Sequence, residues 1–486
     1  MSDQQTGSPD FSRIGLAAGA ATFVIMLLIP APAGLETEAW RTAAVALLMA
    51  VWWMTEALPI PATSLLPIVL FPLLGVGDIK AAAAPYAHDL IFLFMGGFIL
   101  ALAMERWNLH RRTALLIMRA VGTRPTALIG GVMLASALLS MWVSNTATAL
   151  MLTPIAVSLL AGVGAAMDSG MRIKFGAALM LAVAYGANIG GMATPIGTPP
   201  NGVLVGFLQN TYDIQIGFAQ WMLLGVPLVL VALPLVFLML TRVVWRIDNT
   251  GAADAGGILD RELDNLGPFN IREALVTAVF GLTALGWILR PEISQDVADL
   301  FGAQLSDAGI ALTAGVALFI LPAPGRKGTA LMNWEWAVKL PWGILLLFGG
   351  GLSLAAAIKD TGLAEWIGAG LYGVAELPLF VLVLIVAVLL VFLTEITSNT
   401  ATTNALVPIT AALAISAGQD PTMLSACAAL GASCAFMLPV ATPPNAVVYG
   451  SGEVSMAQMV RAGLYVNFLM IAVIVLFVYF LLPVVL

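Results

Sequence analysis

The chain has 486 residues, of which 60% are apolar and only 10% charged, with a net charge of −7 and a mean hydropathy of +0.99. Soluble domains carry about 25% charged residues, so this composition excludes a soluble enzyme or binding module and leaves a polytopic membrane protein. The net charge says little about ligands; the positions of the basic residues along the chain say more.

In chain order, residues 1–12 are polar and lack the basic start and cleavage site of a signal peptide. The first apolar run, 14–30, is therefore expected to be a retained helix. Further spans are expected over 40–58, 63–77, 88–105, 175–208, 218–241, 273–290, 308–322, 340–358, 423–449 and 462–485. The segment 105–112 reads as an interfacial helix whose basic residues serve orientation and lipid headgroup contact. The longest polar stretch, 246–270, reads as a loop between two halves. Two apolar regions, near 125–162 and 377–417, do not fit as single spans. Each is too long for one helix across roughly 30 Å of hydrocarbon and short for two spans plus a turn. Both read as re-entrant hairpins with a polar tip.

A cytoplasmic N-terminus leaves only Arg41, Lys80, Arg290 and Lys359 outside, together with the acidic run Glu292, Asp296, Asp299 and Asp307. That asymmetry favours eleven spans and an external C-terminus. Five spans then separate the hairpins. An odd number makes them enter from opposite faces, as an inverted repeat whose tips meet near the midplane.

The tips carry the chemistry. Ser-Asn-Thr-Ala-Thr occurs at 144–148 and again at 398–402, each copy followed by Pro-Ile. Thr-Pro-Pro-Asn occurs at 198–201 and 442–445, flanked by Pro195, Val203 and Gly206 in one copy and Pro439, Val447 and Gly450 in the other. Small polar residues and prolines at bilayer depth expose backbone groups that hydrocarbon cannot satisfy, and are tolerated around an enclosed polar site. Ser144, Asn145 and Thr146, with the N–H groups of the helix they open, suit an anion. Ser398, Asn399 and Thr400 offer the same set from the other half, so a ligand with two negative ends fits. The alternative is plain helix capping. Consecutive prolines must break each following span and expose carbonyls, which are hard ligands for an alkali cation. The alternative there is a packed proline kink.

No Lys, Arg or His lies in either hairpin or either broken span. A dianion at that depth needs compensation, and bound cations are the simplest source. Two intramembrane acids remain. Glu395, three residues before Ser398, either bonds backbone at the hairpin base or serves coupling. Glu56 ends the second span. Cys427 and Cys434 are seven residues apart, too far on one helix for a disulfide, and His88 and His110 form no metal-ligand spacing. No nucleophile–base pair, metal cluster or phosphate loop suggests an enzyme. A channel is the other class to weigh, and saturable uptake distinguishes it.

At these residues the chain resembles the divalent anion/sodium symporter family of sodium-coupled dicarboxylate and citrate carriers. The resemblance rests on both Ser-Asn-Thr tips, on Ile196–Asn201 and Val440–Asn445, and on Trp52–Pro59. It implies an all-α inverted repeat with two re-entrant hairpins and two broken helices, and a homodimer working as an elevator. It implies substrate carboxylates held by Ser144, Asn145, Thr146, Thr198, Ser398, Asn399, Thr400, Thr442 and Pro443. It implies one Na⁺ near Ser140, Ser144, Asn145 and Gly197, and a second near Thr394, Thr397, Asn399 and Ala441.

The expectation is therefore a Na⁺-coupled importer of a C4-dicarboxylate (succinate, fumarate or malate) in a bacterial-type inner membrane, in contact with lipid and with no nucleic-acid partner. An exchanger of the same fold, or a symporter for citrate, sulfate or another small acid, is the alternative. The expected division is scaffold helices over 1–124, a transport part over 125–245, a cytoplasmic linker over 246–272, second scaffold helices over 273–376 and a second transport part over 377–486.

Overall fold

A computed structural model of the chain describes residues 11–249, 255–302, 304–326 and 328–486. Their regular structure is helical, apart from one isolated bridge between Pro322 and Ala330. The helices used below are α1 (Phe11–Leu28), α2 (Thr37–Met54), α3 (Leu66–Leu74), α4 (Asp89–Arg106), α5 (Leu109–Val121), α6 (Pro125–Ser140), α7 (Asn145–Gly164), α8 (Ser169–Gly190), α9 (Pro199–Tyr212) and α10 (Phe218–Leu238). The second half contributes α11 (Ala255–Leu266), α12 (Ile271–Phe301), α13 (Asp307–Ile320), α14 (Trp342–Asp360), α15 (Leu363–Gly370), α16 (Leu379–Leu393), α17 (Asn399–Ser416), α18 (Pro421–Ala432), α19 (Pro443–Gly450) and α20 (Met456–Leu476).

Local sequence sets many of these boundaries. Asp168 and Asp420 accept hydrogen bonds from the backbone N–H groups of Met171 and Thr422, opening α8 and α18. Capping boxes open α12, through Asn270 and Glu273, and α20, through Ser455 and Gln458. Prolines in the first turn open α6, α9, α18 and α19, where the missing N–H costs nothing.

Two stretches of the chain repeat one plan. In the first, α6 and α7 are joined by a short turn at 141–144, α8 follows, the chain breaks over 191–198, and α9 resumes. In the second, α16 and α17 are joined by a turn at 394–398, α18 follows, the chain breaks over 433–442, and α19 resumes. Helix α8 packs on α6 and α7; α18 packs on α16 and α17. Residues Phe175–Gly190 of α8 are all buried. Small residues allow this depth: a Cβ on Gly190 would lie 2.3 Å from the Ala137 carbonyl oxygen, and one on Gly186 2.6 Å from that of Met133. The end of α8 is thereby held against α6, and the first break arrives beside the first turn.

Seven helical stretches among the described residues are long and apolar enough to cross a membrane, judged by length and composition. The chain is a multi-pass membrane protein. Helices α6 and α16, of 16 and 15 residues, rise only about 24 and 22 Å, short of roughly 30 Å of hydrocarbon.

Three expectations are corrected. The 246–270 stretch is not all loop, because its apolar and polar residues alternate with helical period and form α11. Helix α12 continues through Pro291 to Phe301, so Glu292, Asp296 and Asp299 lie on a helix rather than in a loop. The 105–112 segment is not one helix: α4 ends at Arg106, Asn108 turns the chain with φ 57°, and α5 begins at Leu109. Nor are its basic residues only lipid contacts. Arg112 is buried and bonds both carboxylate oxygens of Glu273, at 3.1 and 3.2 Å, and the Gly267 carbonyl at 2.8 Å. Arg111 pairs with Glu262 and Arg119 with Asp260, tying α5 to α11.

Candidate functional site

Both turns and both breaks open onto one cavity of about 520 Å³. Ser144, Asn145 and Thr146 line it from the start of α7, and Ser398, Asn399 and Thr400 from the start of α17. Gly197 and Thr198 enter from the first break; Ala441, Thr442 and Pro443 enter from the second. Phe98, Ile344, Ile60 and Glu56 contribute to the remaining wall. Residues from both halves, more than 250 positions apart in the case of Asn145 and Asn399, are thus brought to one place.

Three expected residues stand behind the lining rather than on it. The Ser140 hydroxyl donates to Asn145 Oδ1. The Thr394 hydroxyl sits 2.6 Å from Asn399 Oδ1 and 2.8 Å from the Ala432 carbonyl oxygen. Each thus lies five residues before its asparagine and fixes that amide's orientation. Thr397 bonds the Leu393 carbonyl and the Thr402 hydroxyl. The capping alternative holds in one copy: Ser144 Oγ accepts from the Ala147 N–H at 3.2 Å, whereas Ser398 makes no such bond. The hydroxyls of Thr198 and Thr442 precede the prolines of α9 and α19 and are not used as caps.

The breaks are stabilised by matched amides. Asn201 Nδ2 donates to the carbonyls of Gly191 (3.2 Å) and Thr194 (2.8 Å). Asn445 Nδ2 donates to those of Ala435 (3.1 Å) and Leu438 (3.0 Å). The proline break therefore has an internal scaffold in both copies, three residues past each threonine.

Around the first break, a Cβ on Gly191 would lie 2.8 Å from Asn145 Oδ1 and 3.0 Å from the Gly197 carbonyl oxygen. Two hard oxygens therefore converge on a space that only glycine leaves open, suited to a small cation. The sequence did not single out Gly191; its one signal is its place seven residues before Thr198.

Glu395 proves structural in its contacts. Its buried carboxylate accepts from the backbone N–H groups of Phe436 (2.8 Å), Met437 (3.0 Å) and Leu438 (3.1 Å) and from Asn467 Nδ2 (2.8 Å). It thereby satisfies the amides freed where the helix breaks. Two residues missed in the sequence support the same break from the other half: Tyr185 donates to the Phe436 carbonyl at 2.7 Å and Asn188 to that of Ala435 at 3.0 Å.

Chemically, the cavity offers neutral donors, helix N-termini and exposed carbonyls. Among its lining residues Glu56 alone carries a formal charge. Among the described residues no cluster of three His, Cys, Asp or Glu could hold a transition metal.

The fold is shared with known transporters. The chain is similar to the Alcanivorax borkumensis YdaH transporter, with a TM-score of 0.61 and 17% identity over 92% of this chain and 99% of that one. It is also similar to Neisseria gonorrhoeae MtrF, with a TM-score of 0.55 and 14% identity over 96% and 95%. Among curated proteins it is 42% identical to the sodium-dependent dicarboxylate transporter SdcS of Staphylococcus saprophyticus, over 97% of this chain and 91% of the relative. It is 40% identical to SdcS of Staphylococcus aureus strain bovine RF122, over 97% and 92%. Residues 12–485 match the model of the sodium:sulfate symporter transmembrane region. The chain is a membrane transporter and belongs to the sodium:sulfate symporter family.

Proposed function

We propose that this chain is a sodium-coupled symporter that imports a C4-dicarboxylate across the bacterial plasma membrane. The observation that carries this reading is the single cavity lined by both Ser-Asn-Thr turns and both Thr-Pro-Pro-Asn breaks. Its two donor clusters match a ligand with two carboxylates. Its lack of a basic lining residue calls for cations to balance a dianion. The sodium-dependent dicarboxylate transport named for the SdcS relatives supports both the cation and the substrate class.

In this reading Ser144, Asn145, Thr146 and Thr198 meet one end of the substrate, and Ser398, Asn399, Thr400, Thr442 and Pro443 the other. The Asn145 and Gly197 oxygens near Gly191, with Ser140 and Ser144 beside them, take one Na⁺. Thr394, Thr397, Asn399 and Ala441 surround a second. The turns enter from opposite faces as re-entrant hairpins, with the N-terminus inside and the C-terminus outside. The two repeated stretches move together against the other helices as an elevator, within a homodimer.

Reconstituted into liposomes, the chain is expected to accumulate labelled succinate down an inward Na⁺ gradient, with choline unable to replace Na⁺. Unlabelled fumarate and malate should compete, and sulfate and sulfonates should not. Full counterflow without Na⁺ would make it an exchanger, and displacement of succinate by sulfate alone would overturn the substrate class.

A further inference from the structure

The arginines near the end of α4 and the start of α12 are not alike. Arg111, Arg112 and Arg119 each face a carboxylate of α11 or α12. Arg106, Arg272 and Arg326 do not: among the described residues none of these three lies within ion-pair distance of an acid. They crowd one indole instead. Their guanidinium carbons lie 5.1, 4.9 and 5.5 Å from the centroid of the Trp107 ring. Trp107 is buried and donates to the Leu331 carbonyl at 2.9 Å, and Arg106 Nη1 donates to the same carbonyl at 3.1 Å. The chain that follows α13 is thereby tied to the end of α4, and three segments far apart in sequence bring three cations to one place.

An aromatic ring offsets the mutual repulsion of three guanidinium groups only in part. The acid beside Arg272 is committed elsewhere: Glu273 gives both carboxylate oxygens to Arg112 and also accepts from the Asn270 N–H. Glu335 acts on Arg106 only through space. Arg272 stands in the first turn of α12, where the helix dipole disfavours a cation, and its Nε is buried with no hydrogen-bond partner. Planar guanidinium forks converging in this way suit the oxygens of a phosphate.

The surroundings select the kind of phosphate. Arg326 lines a shallow trough of about 710 Å³ together with Ile320, Pro322, Ala323 and Pro324. Val316 and Ile320, one turn apart on the same face of α13, are both exposed. Trp334 and Trp342 are exposed as well, and Lys339 Nζ lies 3.6 Å from the centroid of the Trp336 ring. Tryptophans interleaved with basic residues mark the level of lipid headgroups, and an exposed apolar helix face beside them meets acyl chains. We propose that Arg106, Arg272 and Arg326 form a binding site for the phosphate of an anionic phospholipid, whose acyl chain lies along Val316 and Ile320. In the orientation proposed above the site faces the cytoplasmic leaflet, whose anionic lipids attract basic clusters. It shares no lining residue with the central cavity and does not depend on what that cavity carries.

The test titrates delipidated, detergent-purified protein with dioleoyl-phosphatidylglycerol and counts retained lipid by native mass spectrometry. Dioleoyl-phosphatidylcholine, glycerol phosphate and inorganic phosphate are the comparison arms. Wild type should hold phosphatidylglycerol about tenfold or more tightly than phosphatidylcholine. Arg272→Gln and Arg326→Gln should each weaken it about fivefold, the contribution of one arginine at a headgroup. Arg124→Gln, at an exposed arginine outside the cluster, should leave it unchanged. Arg326 is itself exposed, so its variant keeps the test valid if Arg272→Gln does not fold. Equal binding of phosphatidylcholine, or equal weakening by Arg124→Gln, overturns the site. Displacement of the lipid by glycerol phosphate or inorganic phosphate at comparable concentration overturns the lipid assignment in favour of a free anion. A change of oligomeric state in Arg326→Gln with lipid binding unaltered also overturns it, since the face would then meet a second copy of the chain.

Discussion

The two breaks are copies in what they turn toward the cavity and unlike in what stands behind them. Asn201 and Asn445 make the same pair of bonds to the same relative carbonyls. Ser140 and Thr394 orient Asn145 and Asn399 alike. Behind the second break stands a buried carboxylate, Glu395, that gathers three backbone N–H groups and Asn467. The matched position before the first turn, four residues ahead of its asparagine, is Met141, whose carbonyl accepts from the Thr194 hydroxyl. Trp221 donates to the Met192 carbonyl at 3.0 Å. Both breaks thus have donors to their carbonyls, Asn201 and Trp221 at the first and Asn445, Tyr185 and Asn188 at the second, and the second adds a buried carboxylate that accepts from its amides. The glycine pair Gly191 and Gly197 of the first is an alanine pair, Ala435 and Ala441, in the second. Cavity-lining residues in the two copies answer to one shared space, while each support answers to its own neighbours.

That contrast can be broken by substitution, starting with its largest element. Glu395→Ala leaves three backbone N–H groups of the second break without their acceptor. At about 1–3 kcal/mol for each buried unsatisfied group, stability should fall by about 3 kcal/mol or more, read as a lower unfolding midpoint in detergent. An unchanged midpoint would mean that the second break does not depend on its carboxylate.

A smaller and more local effect is expected at Gly191→Ala. The added methyl would occupy the space between Asn145 Oδ1 and the Gly197 carbonyl oxygen. The Na⁺ concentration for half-maximal succinate binding should rise about tenfold, equivalent to about 1.4 kcal/mol. If the sodium response is unchanged, those two oxygens do not form a cation site.

The smallest effect belongs to Trp221→Phe, which removes one hydrogen bond from the first break and keeps most of the ring. Stability should fall by about 1 kcal/mol, with the ratio of citrate to succinate affinity unaltered. A loss larger than that of Glu395→Ala would reverse the order of importance drawn between the two supports.

The features legible in the sequence are those that violate the chemistry of hydrocarbon. Ser-Asn-Thr and Thr-Pro-Pro-Asn stand out in apolar segments because the backbone there cannot remain helical, and their duplication placed both helix starts, at Asn145 and Asn399. What stayed illegible depends on register between distant segments. Nothing local tells that Tyr185 and Asn188 serve the break of the opposite half. Nothing around Arg112 announces a partner at Glu273, 161 residues away. Glu395 was visible as an anomaly, but choosing between coupling and support required the position of the 436–438 backbone. Gly191 looked like any small residue in a packed helix, since its value lies in the space it leaves. The polar 246–270 stretch hid α11 because its apolar residues are few, though they share a face.

The central claim is that two halves build one site. It is tested most directly by equilibrium binding of labelled succinate to purified protein in saturating Na⁺, for wild type, Asn145→Ala and Asn399→Ala. One succinate per chain is expected for wild type. Each single substitution should weaken it by the loss of a hydrogen bond to a charged group, about 1.5–3 kcal/mol or ten- to 150-fold, with the folded protein retained. Two succinates per chain, or wild-type affinity in either asparagine variant, would contradict a single site shared by the two turns.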